Sequence, residues 1–196
     1  MKAYYEARAR EYDDWWLGRH LHADRERDGW FAEVTQLLGA VASLPAARTL
    51  DVACGTGFLT RHLHGEVTAL DQSASMLELA RAQVPHATAF VRGDALELPF
   101  GDGAFDRVFT GHFYGHLEEP ERARFLAEAR RVAPELVVVD SALHDGVEPV
   151  ERQERVLRDG SHWEVFKRFL TAEVLAAELG GAELLFDGTW FVMVGS

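Results

Sequence analysis

The chain has 196 residues, of which 47% are hydrophobic, so it can bury one core but is short for two ordinary domains. Its formal net charge of −12 opposes binding to a phosphate backbone, which requires neutralisation by lysine and arginine. We therefore expect one domain, residues 1–196, that does not bind nucleic acid.

Membrane and disulfide chemistry are also disfavoured. No apolar run reaches the ~18 to 20 residues that span a bilayer, and the charged residues 1–10 lack a signal-peptide core. The single cysteine, Cys54, can form neither an intramolecular disulfide nor a cysteine-based metal cluster. These features predict a cytoplasmic protein without membrane contact.

Two helices are predicted before the first strand. Residues 3–16 place Tyr5, Tyr12 and Trp16 on one side, and residues 30–41 carry one apolar stripe. An aromatic stripe at helical spacing indicates either core packing or a lid over a ligand pocket. Both interpretations stay open at this point.

Short β-rich runs then alternate with helical patterns. The predicted strands are 49–53, 67–71, 88–91, 105–110 and 136–140, and the predicted helices are 73–84, 121–132 and 171–179. Two further strands, 183–186 and 189–194, flank the hairpin signal Asp187-Gly188. This alternation predicts a doubly wound α/β core over residues 45–196, preceded by N-terminal helices in residues 1–44. The charged run 148–158 is interpreted as a solvated helix face.

A glycine-rich turn follows the first predicted strand. Residues 50–57 read LDVACGTG, and a helix is expected to begin near Phe58. Glycines let the backbone approach a ligand closely, and helix amides attract anionic groups. Asp71 ends the next strand, where a carboxylate can accept both hydroxyls of a ribose. A nicotinamide fingerprint needs a third glycine where this chain has Thr60, so a dinucleotide is disfavoured.

Five segments in order resemble class I S-adenosylmethionine-dependent methyltransferases. They read LDVACGTGFLT, ALDQSASML, GDALELPF, FDRVFTGHFYGHL and RFLAEARRV, and the resemblance extends over residues 4–194. It implies a single-domain Rossmann-like α/β fold with a mostly parallel seven-stranded sheet. An antiparallel C-terminal hairpin strand and N-terminal lid helices would complete that fold.

The resemblance also implies a cofactor, S-adenosyl-L-methionine, and a set of residues for it. These are Tyr12, Asp51, Ala53, Gly55, Gly57, Asp71, Gln72, Asp94 and Ala95. Asp51, Ala53 and Gly55 would surround the methionine, Asp71 the ribose, and Asp94 with the Ala95 amide the adenine. Alternatively, Asp51 fixes its own turn and Asp71 caps a helix. Ala53 departs from the family, which commonly has glycine at this position.

Ligands of open α/β sheets bind beyond the carboxyl ends of the strands. There, His112 and His116 are candidate general bases, needed only if the acceptor carries a proton, or else scaffold residues. Candidate acceptor contacts are Trp15, Trp16, Tyr114 and His144. No third histidine or acid stands at metal-ligand spacing, so no metal is predicted.

The sequence thus predicts methyl transfer to a small molecule, most simply O- or N-methylation, by a monomer or homodimer. Two alternatives remain: a non-catalytic S-adenosylmethionine-binding protein and a nicotinamide-dependent oxidoreductase. A pocket retained behind residues 111–116 favours an enzyme, whereas one filled by Trp15, Trp16 or Phe166 favours a binding protein. The acceptor itself is not identified by the sequence.

Overall fold

The computed structural model describes residues 2–25 and 27–196. Six helices lie in this part of the chain: α1 (Lys2–Arg8), α2 (Asp14–Leu17), α3 (Trp30–Ala42), α4 (Ala74–Gln83), α5 (Glu119–Val132) and α6 (Ala172–Glu178). The strands there are β1 (Ala47–Val52), β2 (Gly65–Asp71), β3 (Ala89–Arg92), β4 (Arg107–Gly111), β5 (Glu135–Ser141), β6 (Val150–Val156), β7 (His162–Arg168), β8 (Glu183–Asp187) and β9 (Phe191–Gly195).

Seven strands form one sheet in the order β3-β2-β1-β4-β5-β9-β8. The first five are parallel, and β9 runs antiparallel to both β5 and β8. The Rossmann-like fold, the mostly parallel sheet and the C-terminal hairpin are therefore confirmed. None of the described helices is both long and apolar enough to cross a membrane.

Both faces of the sheet are covered because the central strands alternate their buried side chains. Val137 and Val139 of β5 face a cluster that includes α3, whereas Leu136 and Val138 face a cluster that includes α5. Helix ends follow local chemistry. The Ser73 hydroxyl accepts a hydrogen bond from the Met76 amide at 3.1 Å and so begins α4.

The order of the strands creates the ligand-binding edge. The chain moves outward from β1 to β3 on one side and from β4 to β5 on the other. The loops after β1 and β4 therefore diverge, and a crevice opens between them at the carboxyl ends of these strands. The glycine-rich turn after β1 meets the loop after β4 at this crevice. That second loop, residues 112–117, carries His112 and His116 and is called the histidine loop.

Two helix predictions near the site are wrong. Residues 3–16 do not form one helix: a 3-10 turn (Ala9–Glu11) separates α1 from α2. Asp13 instead accepts hydrogen bonds from Thr56 at 2.5 Å and from Gln83 at 2.7 Å, so tertiary contacts turn the chain here. The helix expected near Phe58 is only a 3-10 turn, because β2 begins at Gly65 and leaves too few residues.

The interpretation of residues 148–158 as a helix face is also wrong. They contain β6, which pairs antiparallel with β7 in a separate two-stranded sheet. Alternate residues of β6 are half-buried and exposed, as a strand with one covered face requires. The dipeptide Asp159-Gly160 lies at the tip and is a hairpin signal that the charge pattern obscured.

Candidate functional site

Two adjoining cavities lie at the carboxyl edge of the sheet. The smaller has a volume of about 280 Å³ and the larger about 1160 Å³. Four side chains line both, namely Tyr5, Tyr12, His112 and His116. Two molecules bound side by side would therefore meet at these four residues.

Most of the predicted cofactor residues line the smaller cavity. They are Tyr12, Ala53, Gly55, Asp71, Gln72, Asp94 and Ala95. Asp51 and Gly57 lie beneath the turn and outside this lining. At Gly57, a Cβ would lie 2.5 Å from Cγ2 of Val84, so this glycine allows the turn to pack against α4.

Asp71 holds the turn in place and also faces the cavity. Its carboxylate accepts hydrogen bonds from the Gly55 amide at 2.9 Å and the Ser73 amide at 2.8 Å. Each carboxylate oxygen has a second lone pair, so two hydroxyl donors can still be accepted. Burial raises the pKa of Asp71, against the lowering effect of these amides. The structure thus combines the capping role with a position suited to ribose.

Asp51 lies under the same turn. Its contact with Thr60 explains why a threonine stands where a nicotinamide fingerprint has its third glycine. The Thr60 hydroxyl donates to Oδ2 of Asp51 at 2.5 Å, and both residues are buried. Oδ1 of Asp51 has no hydrogen-bond partner within the described residues. Burial raises the pKa of Asp51 to about 7. An adjacent cation would stabilise the ionised carboxylate.

His116 is positioned as a base. Its Nδ1 lies 2.7 Å from the Phe166 carbonyl oxygen, which can only accept, so Nδ1 carries the proton. Nε2 is then the unprotonated nitrogen. Burial, followed by the positive charges of Lys167 and Arg155, holds the pKa of His116 well below its usual value. This imidazole is therefore neutral near pH 7. Its Nε2 carries the lone pair that a base uses, and the lowered pKa makes that base weaker than a solvated histidine.

His112 has a different environment. Its backbone is left-handed, with φ +54°, and Trp15 and Trp16 pack against its ring at centroid distances of 4.9 and 4.8 Å. Nδ1 lies 3.4 Å from the Ser141 hydroxyl, and Nε2 has no partner within the part of the chain described. Burial lowers its pKa to about 3. Nothing in these contacts fixes its tautomer, so His116 is the better-prepared base.

Asp140 and Lys167 support the histidine loop, and the sequence interpretation missed both. Asp140 accepts a hydrogen bond from the Gly115 amide at 2.7 Å and pairs with Lys167 Nζ at 2.5 Å. Both residues are buried. The position of Asp140 at the carboxyl end of a buried strand was an available signal. Lys167 had none, because it arrives from the unpredicted strand β7.

The four predicted acceptor contacts separate into two pairs. Trp15 and His144 line the larger cavity. Trp16 does not, because it is 2% exposed and stacks on Phe58 and Phe191 in the core. Tyr114 is fully buried, and its hydroxyl donates to Glu178 at 2.6 Å. The substrate roles expected of Trp16 and Tyr114 are thus replaced by packing and hydrogen bonding.

A metal ion has no evident place in the described residues. Among them, no three histidine, cysteine, aspartate or glutamate side chains converge as a metal site would require. His112 and His116 both line the two cavities, but no acid or cysteine among residues 2–25 and 27–196 completes a metal-binding set with them.

Comparison with known proteins agrees with this geometry. Residues 50–135 match the family described as a methyltransferase domain. A solved complex of DhpI with SAH superposes with a TM-score of 0.73 at 26% identity, covering 98% of this chain and 92% of that one. A second complex, DhpI-SAM-HEP, gives the same TM-score and identity and covers 94% of that chain. Residues 50–135 thus resemble a methyltransferase domain, and the chain as a whole shares its fold with DhpI.

Curated proteins similar to this chain include two demethylmenaquinone methyltransferases. The protein of Renibacterium salmoninarum is 38% identical over 99 residues, which cover 49% of this chain and 40% of that protein. The protein of Lactiplantibacillus plantarum is 41% identical over 127 residues, covering 59% of this chain and 48% of that protein. The chain therefore spans less than half the length of these relatives.

The alanine in the glycine-rich turn is strained. Ala53 has φ +59°, a left-handed conformation that costs a non-glycine residue roughly 1–2 kcal/mol. Replacement by glycine would remove this strain, but ordering the more flexible glycine backbone on folding costs roughly 0.5–1 kcal/mol. We expect Ala53→Gly to stabilise the fold by about 0.5–1 kcal/mol, measured by urea unfolding. The matched control, Ala123→Gly in the exposed part of α5, should instead destabilise by about 1 kcal/mol. An equal loss of unfolding free energy in both variants would contradict the assignment of strain to Ala53.

Proposed function

We propose that this chain binds S-adenosyl-L-methionine in the smaller cavity and catalyses transfer of its methyl group to a small molecule in the larger one. The observation that carries the proposal is the shared lining of the two cavities by Tyr5, Tyr12, His112 and His116. That junction lies at the switch point of the sheet, where this architecture binds its ligands.

The residues of the smaller cavity fit the proposed cofactor. Asp71 retains acceptor capacity for the ribose hydroxyls, because each of its oxygens accepts only one backbone amide. Gly55 has φ +56°, a left-handed conformation that favours glycine, and the Tyr12 ring packs beside it. When bound, the cofactor supplies an electrophilic methyl group on a sulfonium.

His116 then acts on the acceptor. As a lone pair of the acceptor atom bonds to the methyl carbon, the electron pair of the broken carbon–sulfur bond stays on sulfur. A proton on the acceptor atom passes to Nε2 of His116, whose Nδ1–H remains bonded to Phe166. Tyr5 and Tyr12 wall the junction and would orient the acceptor, and such orientation supplies much of the acceleration of a transfer reaction. O- or N-methylation suits such a base.

The open larger cavity favours an enzyme over a non-catalytic binding protein. Trp16 and Phe166 lie outside its lining, and Trp15 forms a wall and leaves the volume open. The nicotinamide alternative is weakened by Thr60, whose hydroxyl is committed to Asp51. We further propose a cytoplasmic enzyme, monomeric or homodimeric, that needs neither membrane nor nucleic acid, on the basis of its net charge of −12 and its lone cysteine.

Substitution of Asp71 tests the cofactor site. We expect Asp71→Ala to weaken S-adenosylhomocysteine binding by roughly 1.5–3 kcal/mol, the range for hydrogen bonds to a charged group. It should also destabilise the empty protein by about 1–3 kcal/mol, because the Gly55 and Ser73 amides lose their acceptor. Calorimetric titration below the melting range separates the two effects.

Asp102→Ala is the matched control, since that side chain is 82% exposed at the surface. It should leave the affinity unchanged. Normal affinity for S-adenosylhomocysteine in the folded Asp71→Ala variant would show that Asp71 does not bind the ribose. Its role would then be limited to the hydrogen bonds with the Gly55 and Ser73 amides.

A further inference from the structure

The larger cavity is rich in positive charge although the chain as a whole carries −12. Seven cations line it: Arg8, Arg25, Arg27, Arg152, Arg155, Arg158 and Lys167. Three of these pair with carboxylates, since Lys167 binds Asp140, Arg152 binds Glu118 and Arg158 binds Glu11 and Asp14. The other four form no salt bridge with any described residue.

Among the described residues, none of the carboxylates that line the cavity forms a salt bridge with these four arginines. Glu11 and Asp14 are engaged by Arg158, and Glu154 pairs with His162 at 2.8 Å. Glu151 accepts hydrogen bonds from the Glu148 amide and the Gln153 side chain. Asp145, on the loop after β5, is the last of the carboxylates that line the cavity.

Arg8 is the most buried of the four. Only 7% of its surface is exposed, and its guanidinium lies over the rings of Tyr12 at 4.8 Å and Tyr4 at 5.6 Å. Its five N–H donors have no acceptor among the residues that the structure describes. Ring faces stabilise a cation but do not satisfy such donors. A buried guanidinium beside an open cavity therefore lacks its hydrogen-bond acceptors.

Arg155 reaches the same place from β6. It donates to the Tyr4 hydroxyl at 3.4 Å and to Gln153 at 2.9 Å, both neutral groups. No described carboxylate forms a salt bridge with Arg155, and it lies near Arg8, since both side chains contact Tyr4.

Arg25 and Arg27 extend the positive field. Burial lowers the pKa of both, that of Arg27 to about 10, with a further contribution from Arg25. Burial also lowers the pKa of nearby His22 to about 4, and all four arginines contribute to this shift. Arg8 is buried, Arg27 and Arg155 are half-buried and Arg25 is exposed. Cations that cluster where water is partly excluded are unfavourable unless an anion joins them.

We propose that the methyl acceptor carries an anionic group, a carboxylate or a phosphate-type group, that binds between Arg8 and Arg155 in the larger cavity. Guanidinium forks match both groups in a bidentate manner. This inference rests on the proposed function. The anionic group would anchor the acceptor, while the hydroxyl or amine of the acceptor lies beside His116 at the junction of the two cavities. The aromatic wall of Tyr4, Trp15 and Trp30 suits the body of such an acceptor.

Calorimetry with simple probes tests this site without knowledge of the acceptor. Phenylphosphonate, benzoate and neutral benzamide would be titrated into the protein saturated with S-adenosylhomocysteine, at constant ionic strength. We expect at least one anion to bind and benzamide not to bind, and the preferred anion distinguishes a phosphate-type group from a carboxylate. Arg8→Met and Arg155→Met should each weaken that anion about 10- to 100-fold, as expected for lost charged hydrogen bonds.

Arg130→Gln is the matched control, because it removes one exposed positive charge from α5, away from the cavity. It should change the anion affinity less than twofold. Affinity for S-adenosylhomocysteine should stay within twofold in all three variants. Equal binding of benzamide and both anions, or no anion binding by the saturated protein, would overturn the inference. So would an Arg8→Met variant that loses S-adenosylhomocysteine instead, since the guanidinium would then serve the cofactor carboxylate. Absence of S-adenosylhomocysteine binding by the unaltered protein would contradict the proposed function itself.

Discussion

His116→Asn is expected to lower kcat by about 10²- to 10⁴-fold while S-adenosylhomocysteine still binds normally. The asparagine amide can donate to the Phe166 carbonyl as Nδ1–H does, which keeps the loop in place. It has no nitrogen equivalent to Nε2 and cannot accept the proton. Initial rates of S-adenosylhomocysteine formation, with an acceptor found by screening, would give kcat and KM separately.

The pH profile provides the control for this assignment. Because the pKa of His116 is held well below its usual value, the base is already neutral at pH 6.5. The rate should therefore be flat as pH rises from about 6.5 to 8, and should fall only as pH drops through that lowered pKa. A His116→Asn variant with normal kcat would show that His116 only supports the loop.

Trp16→Ala is expected to destabilise the protein by about 3–5 kcal/mol, the usual range for truncation of a buried aromatic side chain. Trp16 stacks on Phe58 with ring centroids 4.7 Å apart and on Phe191 at 5.4 Å. Its carbonyl oxygen also accepts the Trp30 indole N–H at 2.9 Å. For a chain of this size the melting temperature should fall by roughly 6–20 °C in calorimetry.

Two neighbouring variants separate packing from ligand contact. Trp16→Phe keeps a ring and removes an indole nitrogen that has no described partner, so the loss should be about 1.5 kcal/mol or less. Trp15→Ala removes a half-buried wall of the larger cavity and should raise KM more than it lowers stability. A Trp16→Ala protein with unchanged melting temperature would restore the lid interpretation of this residue.

The sequence predicts the sheet well because its evidence is local. Strands β1, β2, β4 and β5 are largely buried on both faces, which produces short apolar runs separated by helical periodicity. Asp71 and Gly55 were predictable because a turn that approaches a ligand restricts residue type at fixed places along the chain. The resemblance added Tyr12, Gln72, Asp94 and Ala95 to the same cavity.

Features that depend on distant contacts were not predictable in this way. Asp51 and Gly57 belong to the same motif, yet one binds Thr60 and the other packs against Val84. Trp16 and Tyr12 share a predicted helix face, but the turn at Asp13 sends one into the core and leaves the other at the cavities. The arginines of the larger cavity come from three separate segments, so their convergence exists only in the folded chain.

Titration of the unaltered protein with S-adenosylhomocysteine and, separately, with NADH tests the central claim most directly. In the smaller cavity, Asp71 has acceptor capacity left for ribose hydroxyls. Thr60 stands where a nicotinamide fingerprint has its third glycine, and its hydroxyl donates to Asp51. We predict saturable binding of S-adenosylhomocysteine at one site per chain and no binding of NADH under the same conditions. Tight binding of NADH with no response to S-adenosylhomocysteine would contradict the account.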